Sequence, residues 1–279
     1  MRYRYYYCTR YSTALEDFLK KEGIKYKISS ATSFVIFNIW SDEIDAEHKL
    51  RMANEKVRFG PLSISAEYSP LEYSNAKLLV MRPHKQQIDI RNGEEVFRYS
   101  CTWKNFCGET RVNHEMQIGS VVIAREPSIN TKTAFWCEDT GFAQIFTSKH
   151  FVDLASENQL TGIVFRDVLL RNGKRSENLF QMTSDSIIGR ECVGTGYGEK
   201  VNKCPCCGAE QYFIGDAHQL HLDFSKIQMH SDFYQTAPIF GEGIPNPLYI
   251  ITQRFYQVLK NAKMDKNVSF SPVVDISEK

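Results

Sequence analysis

One pattern occurs twice in this chain and constrains its fold more than any other feature. Residues 145–168 and 250–273 can be aligned without a gap. Eight pairs of similar residues then fall at one constant spacing: Ile145/Ile250, Thr147/Thr252, Lys149/Arg254, Phe151/Tyr256, Leu154/Leu259, Ile163/Val268, Phe165/Phe270 and Val168/Val273. We interpret the match as a duplicated structural unit, with a chance likeness of two amphipathic helices and their following strands as the alternative.

Each copy has the sequence pattern of a capped helix that turns directly into a strand. A threonine is suited to the N-cap, and two apolar residues one helical turn apart form a buried face. The glycine or asparagine after the helix accepts a left-handed backbone, so a strand can follow at once. In chain order these positions are Thr147, Phe151, Leu154 and Gly162 in the first copy, and Thr252, Tyr256, Leu259 and Asn267 in the second.

The N-terminal part of the chain predicts a smaller unit of its own. Tyrosines recur at every second position over residues 3–7, which is the period of a strand with one buried face. Ser12 or Thr13 can cap a short helix after it. The β-rich residues 31–40 predict a second strand, and a charged helical pattern follows. The sum is a β-α-β-α unit that we expect to be ferredoxin-like.

Two prolines and several small polar residues interrupt the pattern between residues 58 and 74, so we place a domain boundary there. The predicted fold class is α+β. It has a small N-terminal ferredoxin-like β-α-β-α unit over residues 1–75 and a duplicated mixed α/β domain with cysteine knuckles over residues 76–279. Within that domain, repeat 1 spans about residues 97–170 and repeat 2 about residues 200–276.

Charge and hydropathy narrow the class of protein. Lys and Arg total 34 and Asp and Glu total 33, so we do not expect nucleic acid as a partner. No apolar run approaches the ~20 residues of a membrane-spanning helix, and the N-terminus lacks the apolar centre of a signal peptide. We therefore expect a cytoplasmic protein without membrane contact. Its eight cysteines should be reduced thiols or metal ligands rather than disulfides.

The strongest chemical signal is the CxxCG sequence formed by Cys204, Cys207 and Gly208. Two thiolates at this spacing can bind one Zn²⁺ because the turn between them points its amides toward the sulfurs, and the glycine permits a tight backbone. The pattern predicts a structural zinc knuckle at Cys204 and Cys207.

A closed structural zinc site needs four ligands, so two more must come from elsewhere. Cys101 and Cys107, followed by Gly108, form a degenerate counterpart with a longer loop upstream of the first repeat. If the two copies pack about a pseudo-twofold axis, these two cysteines and the knuckle pair could bind one tetrahedral Zn²⁺. The rival ligands are Cys192, His218 and His221.

Two other interpretations of the thiols stay open. Free cysteines are often small buried apolar residues. A redox dithiol is a further alternative, although a thioredoxin-like CxxC should follow a strand and open a helix, whereas the sequence after Cys207 has the pattern of loop and strand.

Three further signals have a simpler structural explanation. His218 and His221 would face opposite sides of a strand. The GTGYG sequence lacks the Lys-Ser/Thr ending and the strand-to-helix context of a phosphate loop. Arg2, Arg4 and Arg10 among tyrosines could form a stacking platform for single-stranded nucleic acid, but a half-buried strand explains the same residues. No catalytic constellation is evident, so we expect a protein that is not an enzyme.

These motifs resemble a group of bacterial proteins. The knuckle at Cys204 and Cys207, the segment LDFSKIQMHSDFYQ that starts at Leu222, and the ending that starts at Ile250 are similar to the double-CXXCG proteins and related immunity-type domains of bacterial polymorphic toxin systems. The resemblance covers about residues 76–279. The first cysteine pair departs from the group's pattern because its spacing is CxxxxxCG.

The resemblance implies a cytoplasmic, non-enzymatic protein that binds and neutralises a cognate toxin by protein–protein contact, with structural zinc as its cofactor. The alternative from another class is a zinc-ribbon nucleic-acid-binding or regulatory protein. In that alternative the N-terminal strand of arginines and tyrosines would be the contact surface.

Overall fold

The computed structural model shows two compact units, the first ending at Asn75 and the second beginning at Ala76. Both combine helices with sheets, so the fold is of the mixed α+β class. The described residues are 1–29, 33–43, 45–57, 63–83, 88–97, 101–105, 108–112, 117–128, 135–137, 144–194, 202–203, 210–212, 220–240, 246–266 and 268–277. For residues 63, 64, 94, 101–105, 108–112, 136, 137 and 202 the description is of the backbone alone.

The first unit is built on a four-stranded antiparallel sheet. Its elements in chain order are β1 (Arg2–Arg10), α1 (Thr13–Lys21), β2 (Tyr26–Ile28), β3 (Phe34–Trp40), α2 (Ala46–Val57), β4 (Ser63–Glu67) and α3 (Pro70–Asn75). The strands lie in the order β2, β3, β1, β4, and every neighbouring pair is antiparallel. The chain therefore crosses the sheet twice through a helix.

The helices α1 and α2 cover one face of this sheet. Ser12 caps α1, and its hydroxyl accepts a hydrogen bond from the Leu15 amide at 3.2 Å. The Tyr7 ring of β1 stacks on Phe37 of β3 at 4.7 Å, and its hydroxyl donates to Asn54 of α2. The same core contains Leu15, Phe18, Leu19, Ile24, Val35, Ile39 and Ala53. Because side chains alternate along a strand, the other half of each strand's residues lies on the opposite face.

Two strands of the first unit go beyond the β-α-β-α pattern expected from the sequence. β2 has three residues, and β4 lies where we expected a boundary. Each pairs along its length with a longer neighbour, β2 with β3 and β4 with β1. Tertiary pairing therefore stabilises segments whose own sequence signal is weak.

The second unit contains most of the strands. Its elements are β5 (Leu78–Pro83), α4 (Gly93–Val96), β6 (Cys101–Asn105), β7 (Gly108–Val112), β8 (Val121–Ile123), β9 (Phe135–Cys137), β10 (Ile145–Ser148), α5 (Lys149–Glu157), β11 (Ile163–Leu170), β12 (Arg175–Ser184), β13 (Ile187–Ile188), β14 (Asn202–Lys203), β15 (Glu210–Tyr212), β16 (His221–Leu222), β17 (Phe233–Phe240), β18 (Asn246–Thr252), α6 (Gln253–Asn261), β19 (Val268–Pro272) and β20 (Val274–Asp275). Short 3-10 turns lie at Arg190–Cys192 and Phe224–Lys226.

Two sheets form the body of the second unit. One has the strand order β8, β11, β12, β10, β9, and the other has the order β14, β15, β17, β18, β5, β19, with β13 beside β17. β6 with β7 and β16 with β20 are separate two-stranded pairs. Among the helices that the structure describes, none is long and apolar enough to cross a membrane.

The two segments that match in sequence both fold into strand, helix and strand. The first is β10, α5 and β11, and the second is β18, α6 and β19. In each, the two strands run parallel with one antiparallel strand between them, which is a split β-α-β arrangement. The middle strand is β12 in the first copy and β5 in the second. Since β12 directly follows β11 while β5 precedes the whole first copy, the copies share geometry but differ in connectivity.

The helices correspond at a spacing one residue shorter than the gapless alignment. The N-caps are Ser148 and Thr252, whose hydroxyls accept hydrogen bonds from the amides of Phe151 and Phe255 at 3.3 Å. The prediction for Thr252 is confirmed. The prediction for Thr147 is wrong, because α5 begins at Lys149 and its N-cap is Ser148, one residue later.

Phe151 therefore corresponds to Phe255 and not to Tyr256. The rings of Phe151 and Phe255 lie 5.7 Å apart, and both are fully buried. Phe151 also packs against Phe135 at 4.7 Å, and Phe255 against Phe233 at 5.9 Å. Equivalent residues of the two copies thus meet in one aromatic cluster inside the second unit.

Both helices end in a left-handed residue that the sequence does not reveal. Gln159 follows α5 with a φ of 51°, and Lys263 follows α6 with a φ of 55°. Neither residue type favours this backbone, so their conformation depends on the packing around them. Gly162 is also left-handed, with a φ of 79°, as expected. Asn267, its predicted counterpart, lies outside the described residues.

A buried carboxylate joins the two copies. Asp232 precedes β17 and is 6 % exposed. Its Oδ2 accepts hydrogen bonds from the amide and hydroxyl of Thr161 at 3.1 and 3.2 Å, and its Oδ1 accepts one from the Thr252 hydroxyl at 2.9 Å. Arg254 Nη1 lies 2.7 Å from Oδ2. Because Thr161 follows α5 and Thr252 caps α6, one carboxylate connects the end of one repeat helix to the start of the other.

Arg254 reinforces the same junction from the other side. Its Nη2 donates to the carbonyl oxygens of Asn158 and Gln159, where α5 ends. A cation at the C-terminal end of one helix and an anion at the N-terminal end of another both match the helix dipoles. The buried charge of Asp232 is thus compensated by an ion pair and by hydrogen bonds to both oxygens.

We expect Asp232→Asn to lower the free energy of unfolding by about 2 kcal/mol, because the amide removes the ion pair and places a donor against Arg254. Urea unfolding followed by circular dichroism measures the loss. Asp153→Asn is the matched control, since Asp153 pairs with Lys149 on the exposed face of α5 and should cost less than about 0.5 kcal/mol. Equal losses in the two variants would contradict a central role for the junction.

Two glycines with the same backbone provide a test of crowding at this junction. A Cβ on Gly162 would lie 2.3 Å from the Phe233 carbonyl oxygen, whereas one on Gly173, with a φ of 77°, would meet no described atom within 4 Å. An alanine is strained by the left-handed backbone at both positions, so Gly173→Ala should lower the free energy of unfolding by about 1 kcal/mol. Gly162→Ala adds the close contact and should lower it by about 3 kcal/mol. The comparison uses the same unfolding assay, and equal costs would show that the junction tolerates a methyl group.

Candidate functional site

The predicted zinc knuckle is flanked by a β-hairpin. β14 and β15 pair antiparallel, with Lys203 opposite Glu210 and Asn202 opposite Gln211. Cys204 and Cys207 fall in the connection between these strands and lie outside the described residues. The Glu210 side chain at the start of β15 is buried. It accepts a hydrogen bond from the Tyr212 hydroxyl at 2.8 Å and forms an ion pair with Arg190 at 2.6 Å. The first residue of β15, next to the connection, is therefore held by a hydrogen bond and an ion pair.

The second cysteine pair belongs to another hairpin. Cys101 begins β6 opposite Val112, and Asn105 at the other end of β6 is opposite Gly108. The strand places Cys101 roughly 13 Å from Asn105, at ~3.3 Å per residue. Cys107 lies outside the described residues. The assignment of Cys101 and Cys107 as zinc ligands therefore stays a prediction.

The rival ligands have different surroundings. The Cys192 thiol is 2 % exposed and donates to the Lys226 carbonyl oxygen at 3.5 Å. Burial, together with the Glu191 carboxylate, raises the pKa of Cys192, which favours the thiol over the thiolate that zinc binds. His221 is half-buried in β16, and His218 lies outside the described residues. Within the described part of the chain, no three His, Cys, Asp or Glu side chains are grouped as a metal site requires.

The first unit presents a different kind of surface. The open face is the side of its sheet opposite α1 and α2. It is formed by Arg2, Arg4, Tyr6, Cys8 and Arg10 from β1, Phe34, Ile36, Asn38 and Trp40 from β3, Lys27 from β2, and Ser65 and Glu67 from β4. Four of these twelve side chains are cationic and one is anionic, and Asp42, in the turn after β3, adds a second carboxylate beside Arg2. The face thus carries more cations than anions, although the whole chain is nearly neutral.

Two arginines of the open face lie over one tryptophan ring. The guanidinium carbon is 4.3 Å from the Trp40 ring centroid for Arg2 and 5.4 Å for Arg4. Arg4 is directly opposite Trp40 in the sheet register, and its Nε donates to Asn38 Oδ1 at 3.0 Å. Stacking on an indole and a hydrogen bond to a neighbouring strand hold these flexible side chains in place.

Arg2 already binds carboxylates of its own chain. Its Nη2 donates to Glu67 Oε2 at 3.0 Å, and its Nη1 donates to Asp42 Oδ2 at 3.5 Å. The hydrogen bond to Glu67 raises the pKa of Arg2, so its positive charge is secure. The side chains of Arg2, Asp42 and Glu67 are all close to half exposed, and that of Arg2 is 46 % exposed. The open face can therefore bind carboxylates where solvent and partners have access.

The sequence identified the arginines of this face but not their partners on β3. Val35, Phe37 and Ile39 are buried, while the alternating residues Phe34 and Trp40 lie on the other side. The segment FVIFNIW is apolar at six of its seven positions, so the sequence did not show which side faces the helices, and the alternation is visible only in the burial of the strand. Which residues of two strands come together depends on the register, and only the structure determines it.

We expect the purified protein to contain stoichiometric zinc, measured by plasma mass spectrometry, and to lose it in Cys204→Ser. Thiolates are needed as ligands, and serine does not replace one. Cys8→Ser is the matched control, because Cys8 lies in β1 of the first unit and should leave the zinc content unchanged. An intact protein without zinc would contradict the prediction of a structural metal.

Comparisons with known proteins do not identify a family. No family model, curated protein or solved structure matches this chain. The resemblance to immunity-type proteins rests on its motifs alone, and function has to be argued from the geometry of the two units.

Proposed function

We propose that the protein is an immunity-like protein that binds and neutralises a cognate bacterial toxin by protein–protein contact in the cytoplasm. In this proposal the first unit is a ferredoxin-like domain. The second unit is a duplicated domain in which a structural zinc ion, bound by Cys204 and Cys207 with further ligands, clamps the β14–β15 hairpin. Zinc supplies cross-linking of loops and no chemistry of its own in a closed site.

The motif segments that carry the resemblance support a scaffold rather than a reactive site. The segment from Leu222 contributes Asp232, and the C-terminal ending contributes Thr252 and Arg254. All three side chains are engaged in joining α5 to α6. Since these groups bond to one another, they serve stability, and contact with a partner has to come from other surfaces.

The composition of the open face is the observation that carries the proposal. Arg, Tyr and Trp are the residue types that contribute most to protein–protein binding energy, and Arg4, Tyr6 and Trp40 lie on this face near the end of β3. They stand on a rigid sheet, and the stacking on Trp40 holds the arginine side chains before a partner arrives. Pre-ordered side chains reduce the entropy lost on binding.

The test is co-expression with the products of the adjacent reading frames. We expect one neighbouring product that arrests growth when expressed alone, does not do so with this protein, and co-purifies with it at high salt. A toxin from an unrelated system serves as the control and should neither be captured nor neutralised. Neighbouring genes of housekeeping metabolism, or no captured product, would contradict the proposal.

The second candidate is a nucleic-acid-binding or regulatory protein, favoured by the arginines and aromatic rings of the open face. Single-stranded nucleic acid binds to such sheets by stacking bases on aromatic rings and by pairing phosphates with cations. Retention of a single-stranded oligonucleotide that weakens steeply with salt would support this candidate.

A further inference from the structure

We infer that the open face of the first unit is the docking surface for the partner, and that the partner presents an acidic segment rich in Asp and Glu. This inference rests on the proposed function and adds the chemistry by which the partner is recognised. It concerns the first unit alone.

The charge of the surface is complementary to an acidic segment. Arg2, Arg4, Arg10 and Lys27 lie on the open face, whereas Glu67 is its one anionic side chain among the described residues of β1 to β4. Arg10 is exposed, at the far end of β1 from Arg2. The cations therefore extend along the whole of β1, and an extended acidic chain can pair with several of them at once.

The chain's own carboxylates show how a partner would bind. Glu67 and Asp42 each take a different terminal nitrogen of Arg2, while the Trp40 ring lies below its guanidinium group. A guanidinium group that stacks on an indole keeps its N–H groups in the plane, directed outward, where carboxylates accept them. Arg4 is held over the same ring and donates only its Nε to Asn38 among the described contacts, so its terminal nitrogens remain for a partner.

The same stacking disfavours nucleic acid as the occupant. A base would need an open aromatic ring on which to stack. The guanidinium groups of Arg2 and Arg4 cover the Trp40 ring, which is the largest aromatic ring of the face. The ring supports the arginines instead of offering a stacking surface, which leaves only the smaller rings of Tyr6 and Phe34 to a base, and this favours recognition of carboxylates over recognition of bases.

Fluorescence anisotropy of the full chain with a short labelled glutamate-rich peptide tests the inference. A labelled oligouridine of equal length and charge is the competing probe. We expect the peptide to bind to the parent chain. Arg4→Glu should weaken the affinity for the peptide by at least about tenfold, because the substitution reverses a charge. Arg51→Glu on α2 is the matched control, because it makes the same charge change on an exposed helix and should bind like the parent chain.

A second variant covers the case in which Arg4→Glu fails to fold, since Arg4 contacts Asn38 and Trp40. Arg10 is exposed, so the Arg10→Glu variant should fold normally, and it should also bind the peptide more weakly. The indole N–H resonance of Trp40, assigned by its loss in Trp40→Phe, should shift when the peptide is added. Equal binding by Arg10→Glu and Arg51→Glu, no peptide binding at all, or tighter binding of oligouridine than of peptide would each overturn the inference.

The inference and the proposed function fail in distinguishable ways. If a neighbouring toxin is captured equally by the parent chain and by Arg10→Glu, the immunity-like function stands and the docking surface is wrong. If no neighbouring product is captured while the acidic peptide still binds in an Arg10-dependent manner, the surface stands and the toxin as its partner is wrong.

Discussion

Asp232 accepts hydrogen bonds from Thr161 after α5 and Thr252 at the start of α6, and the arrangement of the second unit depends on this contact. A carboxylate this deeply buried is stable only when its charge is compensated, and Arg254 provides the opposite charge. Arg254 in turn binds the carbonyl groups where α5 ends. The position of one helix relative to the other is thus specified by directional bonds, and the contact between Phe151 and Phe255 adds apolar packing between the two helices.

The two copies match in sequence although their connectivity differs. Each copy needs a capped helix between two parallel strands, and each obtains its middle strand from a different part of the chain. Similar packing with a different chain path is possible because a sheet requires only a neighbouring antiparallel strand, whatever its place in the sequence. In this scaffold the polar residues Asp232, Thr252 and Arg254 of the motifs bond to one another.

The two faces of the sheet in the first unit differ in what covers them. One is closed by α1 and α2 around Tyr7 and Phe37, and the other carries arginines supported by Trp40. Long arginine stems cover the apolar ring, while the charged end of Arg2 stays half exposed. The same arrangement orders the charged groups, and an ordered cationic surface is suited to a partner with carboxylates.

Short-range signals could be predicted, and those that depend on tertiary contacts could not. Ser12 and Thr252 were recognisable as N-caps because a cap is a local interaction between a hydroxyl and an amide three residues away. Ser148 was missed because Thr147, one residue earlier, fits the same rule, and only the structure shows that α5 begins at Lys149. β2 and β4 were missed because they are strands chiefly by virtue of the neighbours they pair with.

The sequence by itself determined that a capped helix followed by a strand occurs twice, and that one N-terminal strand carries arginines between tyrosines. These features follow from the local periods of side chains along a strand or a helix. Only the tertiary structure decided that Trp40 lies under Arg2 and Arg4, that Phe151 meets Phe255, and that Asp232 connects the two copies. Each of these contacts joins residues far apart in the chain, and strand register and helix packing, which no local pattern encodes, bring them together.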